Sequence, residues 1–418
     1  MSKQPQLLRG IRVVDYSHFL AGPYVSRCLA ALGADVIKVE RPTSGDAGRA
    51  HPYFIKGQSG YFLQQNMGKK GLCLDLKDPR GLELMKKLVR ESDVLVENYR
   101  PGTLQKLGLG YAELSALQPE LVYCSVSAYG QTGVDSKRAG FGLIAEAKSG
   151  AMDLIGRPGE MPPLFRMPIA DMYAGAHGVA AICAALVGRH ATGRGQHIDI
   201  SLYDCMLSMH DYAAQCYTLS GGKDVVQRSG HYLPQSTVYG VFPARDGCLV
   251  IAAQVDDIWK RLADLIGGER LASDARFGNA ASRNAHAEEA VALVEAWTRN
   301  RSVEECLAAL DQAGVPGARV QNIEQALADP HIQSRGMLIE QDHPVLGRIT
   351  LPNVPFKFSD VEAQALGVAP LLGQHNREIA SQLGYSSAEI GAMERDGVLY
   401  AEPAALTTVT EPEPEPAC

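Results

Sequence analysis

Ile11-Arg-Val-Val-Asp15-Tyr reads as a strand, Tyr24 to Leu32 as a helix stopped by Gly33, and Asp35-Val-Ile-Lys-Val-Glu40 as a second strand. This opening strand–helix–strand pattern decides the fold. It continues through strands at Leu72–Leu76, Asp93–Glu97 and Leu121–Val126, with a helix at Arg80–Glu91 whose first turn accepts Pro79. Alternation of this kind predicts an α/β domain with a parallel sheet covered on both faces. A turn at Thr192-Gly-Arg-Gly-Gln196 then leads to another strand at His197–Leu202.

Beyond residue 205 the pattern changes. Residues 206–226 read as a linker and 227–330 as a smaller α+β domain. That domain opens on a hairpin whose strands, Val238–Phe242 and Cys248–Ala253, are joined through Arg245-Asp-Gly247. The Pro/Glu-rich stretch 401–418 reads as disordered. A chain of 418 residues exceeds the usual size of one core, so two domains are expected.

Composition narrows the function. The net charge of −7 comes without a basic tract, which argues against nucleic acid as the main partner. Nine scattered cysteines, with no CxxC pair, read as reduced thiols in a cytoplasmic protein and supply neither a disulfide framework nor a metal site. Met1-Ser-Lys-Gln-Pro-Gln has no apolar signal region, and the apolar helix near 173–187 reads as too short and Gly-rich to span a membrane. The GxGxxG, P-loop, HExxH and GxSxG signatures are all absent.

An α/β sheet binds ligands at the carboxyl ends of its strands. Ser17-His18, Glu40-Arg41, Glu97-Asn98-Tyr-Arg100 and Ser127–Gly133 follow strands and are therefore candidates. Arg41, Arg100, Lys106, Lys137 and Arg138 could hold a polyanion, although each also reads as a solvated surface charge. His18 and His177 read equally as structural histidines. The most reactive candidate is Asp171, in the run Met167-Pro-Ile-Ala-Asp171-Met-Tyr-Ala-Gly-Ala-His177. It is placed as the N-cap of an apolar, buried helix, where free N–H groups favour the anion and apolar walls suit a nucleophile. Gly175 and Gly178 each weaken that helix by about 1 kcal/mol, which points to a close neighbour.

Taken together, these segments resemble the class III CoA-transferases from about Leu8 to Leu399. The resemblance rests on Leu20-Ala-Gly-Pro23, Leu32-Gly-Ala-Asp-Val-Ile-Lys-Val-Glu40-Arg, Gly45-Asp46 and Val96-Glu-Asn98-Tyr-Arg-Pro-Gly102. It also rests on Gly130-Gln-Thr-Gly133, Asp171 with its helix, Thr192-Gly-Arg-Gly-Gln196 and Pro370-Leu-Leu-Gly-Gln-His375. It implies that Asp171 attacks an acyl-CoA, passes through a mixed anhydride to an aspartyl-CoA thioester, and hands CoA to a second carboxylic acid. No metal and no permanently bound cofactor is implied; the CoA thioester is a substrate. His18, Arg41, Asn98 and Lys106, with Lys137 or Arg138, are the implied CoA contacts, and two subunits are expected to interlock as a homodimer. The resemblance further implies a large doubly wound domain of residues 1–205 completed by 350–400, with the small domain at 227–330 between them and a linker at 331–349.

Departures from the family pattern limit the substrate. Leu20 replaces a glutamine of the formyl-CoA enzymes, and Phe141-Gly142 stands where many relatives carry an aromatic–acidic pair. Arg166 and Arg228 could hold the second carboxylate of a short dicarboxylic acid. The fold is shared with α-methylacyl-CoA racemase, but the histidine of that enzyme falls on Phe141, which cannot carry a proton. A CoA-binding scaffold without turnover is the remaining alternative.

Overall fold

The computed structural model describes residues 6–361 and 366–403, so most of the 401–418 stretch expected to be disordered lies outside the described residues. The chain divides into two compact units. The first comprises residues 1–149, 165–210 and 333–418, and the second 150–164 with 211–332.

The first unit is built on six parallel strands: β1 (Arg12–Tyr16), β2 (Asp35–Glu40), β3 (Lys70–Cys73), β4 (Val94–Glu97), β5 (Val122–Ser127) and β6 (His197–Ser201). Their order across the sheet is β3-β2-β1-β4-β5-β6. This is the order of a doubly wound sheet, and the strand sequence reverses between β1 and β4. The principal helices are α1 (Ala21–Ala31), α2 (Pro79–Arg90), α3 (Gly142–Lys148) and α4 (Ile169–Thr192). The α2 helix starts where its sequence dictates, with Asp78 capping Arg80 N–H and Pro79 at the first position. Val14, Ile37, Leu72, Leu95 and Tyr123 of the sheet form one core with Leu84 and Leu88 of α2.

Two expectations for α4 are corrected. Its helix runs for 24 residues, long and apolar enough to cross a membrane by length and composition alone. It is also not buried all round. Ala174, Gly175, Gly178, Val179, Ile182 and Leu186 are buried, while Ala176, His177, Ala180, Ala184 and Val187 are exposed along one side. The buried side packs on α1, β5 and β6. There the two glycines do admit a close neighbour: a Cβ on Gly175 would lie 2.6 Å from a Tyr24 ring atom, and one on Gly178 2.9 Å from Val25 Cγ2.

The second unit holds a three-stranded antiparallel sheet: β7 (Tyr239–Ala244), β8 (Gly247–Ala252) and β9 (Gly317–Arg319), in the order β9-β8-β7. Helices α5 (Asp256–Ala272), α6 (Ala287–Arg299) and α7 (Val303–Ala313) cover it through Trp259, Leu262, Val294 and Leu310. Strand β9 is absent from the strands expected from the sequence. The stretch 206–226, read as a linker, carries helices Leu202–Ser208 and Ala213–Leu219.

The chain then returns to the first unit as hairpin β10 (Leu338–His343) and β11 (Gly347–Pro352), followed by α8 (Asn376–Gln382) and α9 (Ser387–Arg395). The returning segment seals the free edge of β3: His375 Nδ1 accepts from Gly71 N–H at 2.9 Å and Asn376 Oδ1 from Cys73 N–H at 2.8 Å. The Leu-Gly-Gln-His motif is thus explained by sheet closure.

Candidate active site

The site forms where the strand order reverses. Strand β1 ends into Ser17-His18-Phe19 and β4 into Asn98-Tyr99-Arg100, and these two loops line one cleft together with Phe141, Gly140 and Asp171. The side chain of Asn98 joins the loops. Its Oδ1 accepts from His18 N–H at 2.8 Å and its Nδ2 donates to His18 O at 2.7 Å. The amide expected to contact CoA thus lines the cleft and also holds the β1 loop.

Beneath that loop lies a set of fully buried charges. Lys38 Nζ donates to Ser17 O at 2.6 Å and pairs with Asp46 at 2.8 Å, while Lys69 pairs with Asp15 at 2.8 Å. Asp46 also accepts from Phe19 N–H at 2.9 Å and Gly48 N–H at 2.7 Å. Burial alone would raise the Asp15 carboxyl, but Lys38 and Lys69 hold it well below the usual carboxylate range. Phe19 is pinned with φ at +61°, a conformation rare for a residue with a side chain. Nothing in the local sequence signals it.

Asp171 is not the N-cap. Pro168 occupies that place, and Asp171 is the third helical residue, its side chain turned back onto its own N–H. Nor does the helix start make it an ordinary strong acid. Burial, followed by the charge of Glu146, raises its pKa to about 6, and the bond to its own backbone only partly offsets this. At neutral pH it is mostly ionised but more basic than a surface aspartate, which suits a nucleophile.

Its carboxylate rests against the start of α3. A Cβ built on Gly142 would lie 2.1 Å from Asp171 Oδ2, so only glycine leaves room for the reactive group. One turn further along α3, Glu146 is buried and accepts from Ala170 N–H at 3.2 Å. Neither Gly142 nor Glu146 stood out as a site residue from the sequence. The signal was available as a glycine and an acid four apart in a region otherwise read only for what it lacked. Phe141 is 66% exposed at the mouth, edge-on to Phe19 with ring centroids 6.1 Å apart.

The other expected contacts separate into two groups. His18 lines the Asp171 cleft, with burial pushing its pKa down, so it is a neutral imidazole at pH 7. Arg41 lines a second cleft that shares His18, Phe19 and Tyr99 as its wall. Lys106 and Arg138 line neither. Arg138 is 69% exposed and bonded to Asp135 at 3.0 Å. Arg100, grouped with the other cations in the sequence, lines the Asp171 cleft. Arg166 lies in the first unit and Arg228, 3.6 Å from Asp153, in the second.

With this geometry in view, the comparisons with known proteins are decisive. The family model described as CoA-transferase family III matches residues 8–376. The chain belongs to CoA-transferase family III. As a CoA-transferase it is 38% identical to the succinyl-CoA–D-citramalate CoA-transferase of Chloroflexus aurantiacus, over 92% of this chain and 96% of that one. It is 34% identical to the succinate–glutarate CoA-transferase of Agrobacterium fabrum, over 90% and 95% of the two chains. A crystal structure of a CAIB/BAIF family protein from Brucella suis superposes with a TM-score of 0.81 at 35% identity, covering 91% of this chain and all of that one.

Proposed function

We propose that this CoA-transferase moves CoA from succinyl-CoA to a short dicarboxylic acid through an aspartyl-CoA thioester on Asp171. The observation that carries this reading is the raised, ionisable Asp171 carboxylate in a cleft at the reversal point of the sheet. In the first step Asp171 attacks the thioester carbonyl: an Asp171 O–acyl bond forms, the acyl C–S bond breaks and CoA leaves as thiolate. The thiolate then attacks the Asp171 carbonyl of the anhydride and the donor acid departs. The acceptor carboxylate runs the same steps in reverse. The thioester end of CoA lies in the Asp171 cleft, with its phosphates toward Arg100 and Arg41. Names of the relatives support the dicarboxylate reading, since they act on citramalate and glutarate.

The exposed, small and apolar side of α4, Ala176 to Val187, is of the kind a second copy covers, in keeping with a homodimer; light scattering in solution tests this. Cytoplasmic work fits the free thiols of Cys28, Cys73, Cys124, Cys205 and Cys306, all buried.

The deciding test is intact-protein mass spectrometry after mixing with succinyl-CoA, with and without hydroxylamine. A CoA adduct, or a hydroxamate on the Asp171 peptide, that is lost in Asp171→Ala supports the reading. No modification by any acyl-CoA overturns it.

A further inference from the structure

The start of α4 carries two carboxylates. The first-turn N–H groups of a helix lack partners within it. At α4 the N–H of Ala170 is taken by Glu146 Oε1 at 3.2 Å, and the N–H of the next residue lies on the carboxylate of Asp171 itself. Glu146 is only 3% exposed, and among the described residues no Lys or Arg pairs with it. A buried acid is normally matched by a cation, because leaving the charge uncompensated is costly. Here the neighbour that feels the charge is the Asp171 carboxylate. Gly142, one turn earlier on α3, supplies the empty space into which that carboxylate is folded.

We propose that Glu146 is a positioning residue for the reaction: by accepting from Ala170 N–H it fixes the first turn of α4 and, from that buried position, its charge destabilises the Asp171 carboxylate until it is acylated. Attack on the thioester removes the negative charge from Asp171. Repulsion from Glu146 is therefore strongest before reaction and fades toward the anhydride, which lowers the barrier. This rests on Asp171 being the nucleophile.

A purely structural role would need only an acceptor for Ala170 N–H, and Glu146→Gln retains that acceptor while removing the charge. The experiment is quench-flow mass spectrometry of adduct formation with succinyl-CoA between pH 5 and 8, for the wild type, Glu146→Gln and Asp171→Ala. Glu146→Gln is expected to move the acid limb to lower pH by about half a unit or more. Its plateau rate should fall roughly threefold to tenfold, with the KM for succinyl-CoA little changed. Superimposable profiles for Glu146→Gln and wild type would overturn the proposal and leave the Asp171 mechanism standing. A Glu146→Gln protein melting more than about 10 °C lower would mark the charge as structural and overturn it too. Failure of the wild type itself to form an adduct would instead remove the underlying mechanism.

Discussion

Asn98 and His18, eighty residues apart, exchange two hydrogen bonds of 2.7 and 2.8 Å across the point where the sheet reverses. A side chain from the loop after β4 thus dictates the backbone path of the loop after β1. Replacing Asn98 by Asp removes the donor and sets a carboxylate against His18 O. The variant is expected to lose about 1–3 kcal/mol of stability and to raise KM for the acyl-CoA roughly tenfold, more than it lowers kcat. Steady-state kinetics and thermal melts of the same preparation check both parts.

Gly142→Ala would place a methyl group where the Asp171 carboxylate lies, 2.1 Å from Oδ2. The carboxylate must swing away, so the rate of CoA transfer should fall about a hundredfold or more. The α3 helix itself gains a better helix former. Loss of activity without a matching loss of melting temperature is the expected signature.

The pH dependence of stability has a definite sign. The Asp171 carboxyl rises from 3.8 to about 6 on folding, so between those values the folded state holds the proton more tightly than the unfolded state. Stability is therefore lost as pH rises through this window, by about 2–3 kcal/mol in all. Asp171→Asn, which mimics the protonated acid, should be more stable than the wild type at pH 7.5 and equal to it at pH 4. In the wild type, the CoA-transfer rate should fall on acidification below about pH 6 as the nucleophile takes up its proton.

Lys38 holds the β1 loop through Ser17 O and compensates Asp46. Lys38→Met leaves the buried Asp46 carboxylate without its cation and is expected to cost about 3–5 kcal/mol. Chemical denaturation of the purified variant measures this directly.

Periodicity made most of the large unit legible. Asp35–Glu40 was placed with its observed ends, and Pro79 and Gly33 marked helix limits because their backbone preferences are local. Strand β9 escaped because three residues carry no period, and its place in the sheet comes from pairing with Leu249–Ile251. Asp171 was legible through its helix, but its basicity was not: that comes first from burial and then from the charge of Glu146, brought in from another element. The cations at 106 and 138 line neither cleft, and a charge read in sequence carries no direction.

The closure of β3 by His375 and Asn376 bears on how the protein is made. A ribosome releases β3 some three hundred residues before the segment that seals it, and throughout that interval an edge strand stands open beside its finished neighbours. Any chain cut short within the second unit inherits that open edge. Such products are sticky by construction, and chaperones or proteases will meet them first there.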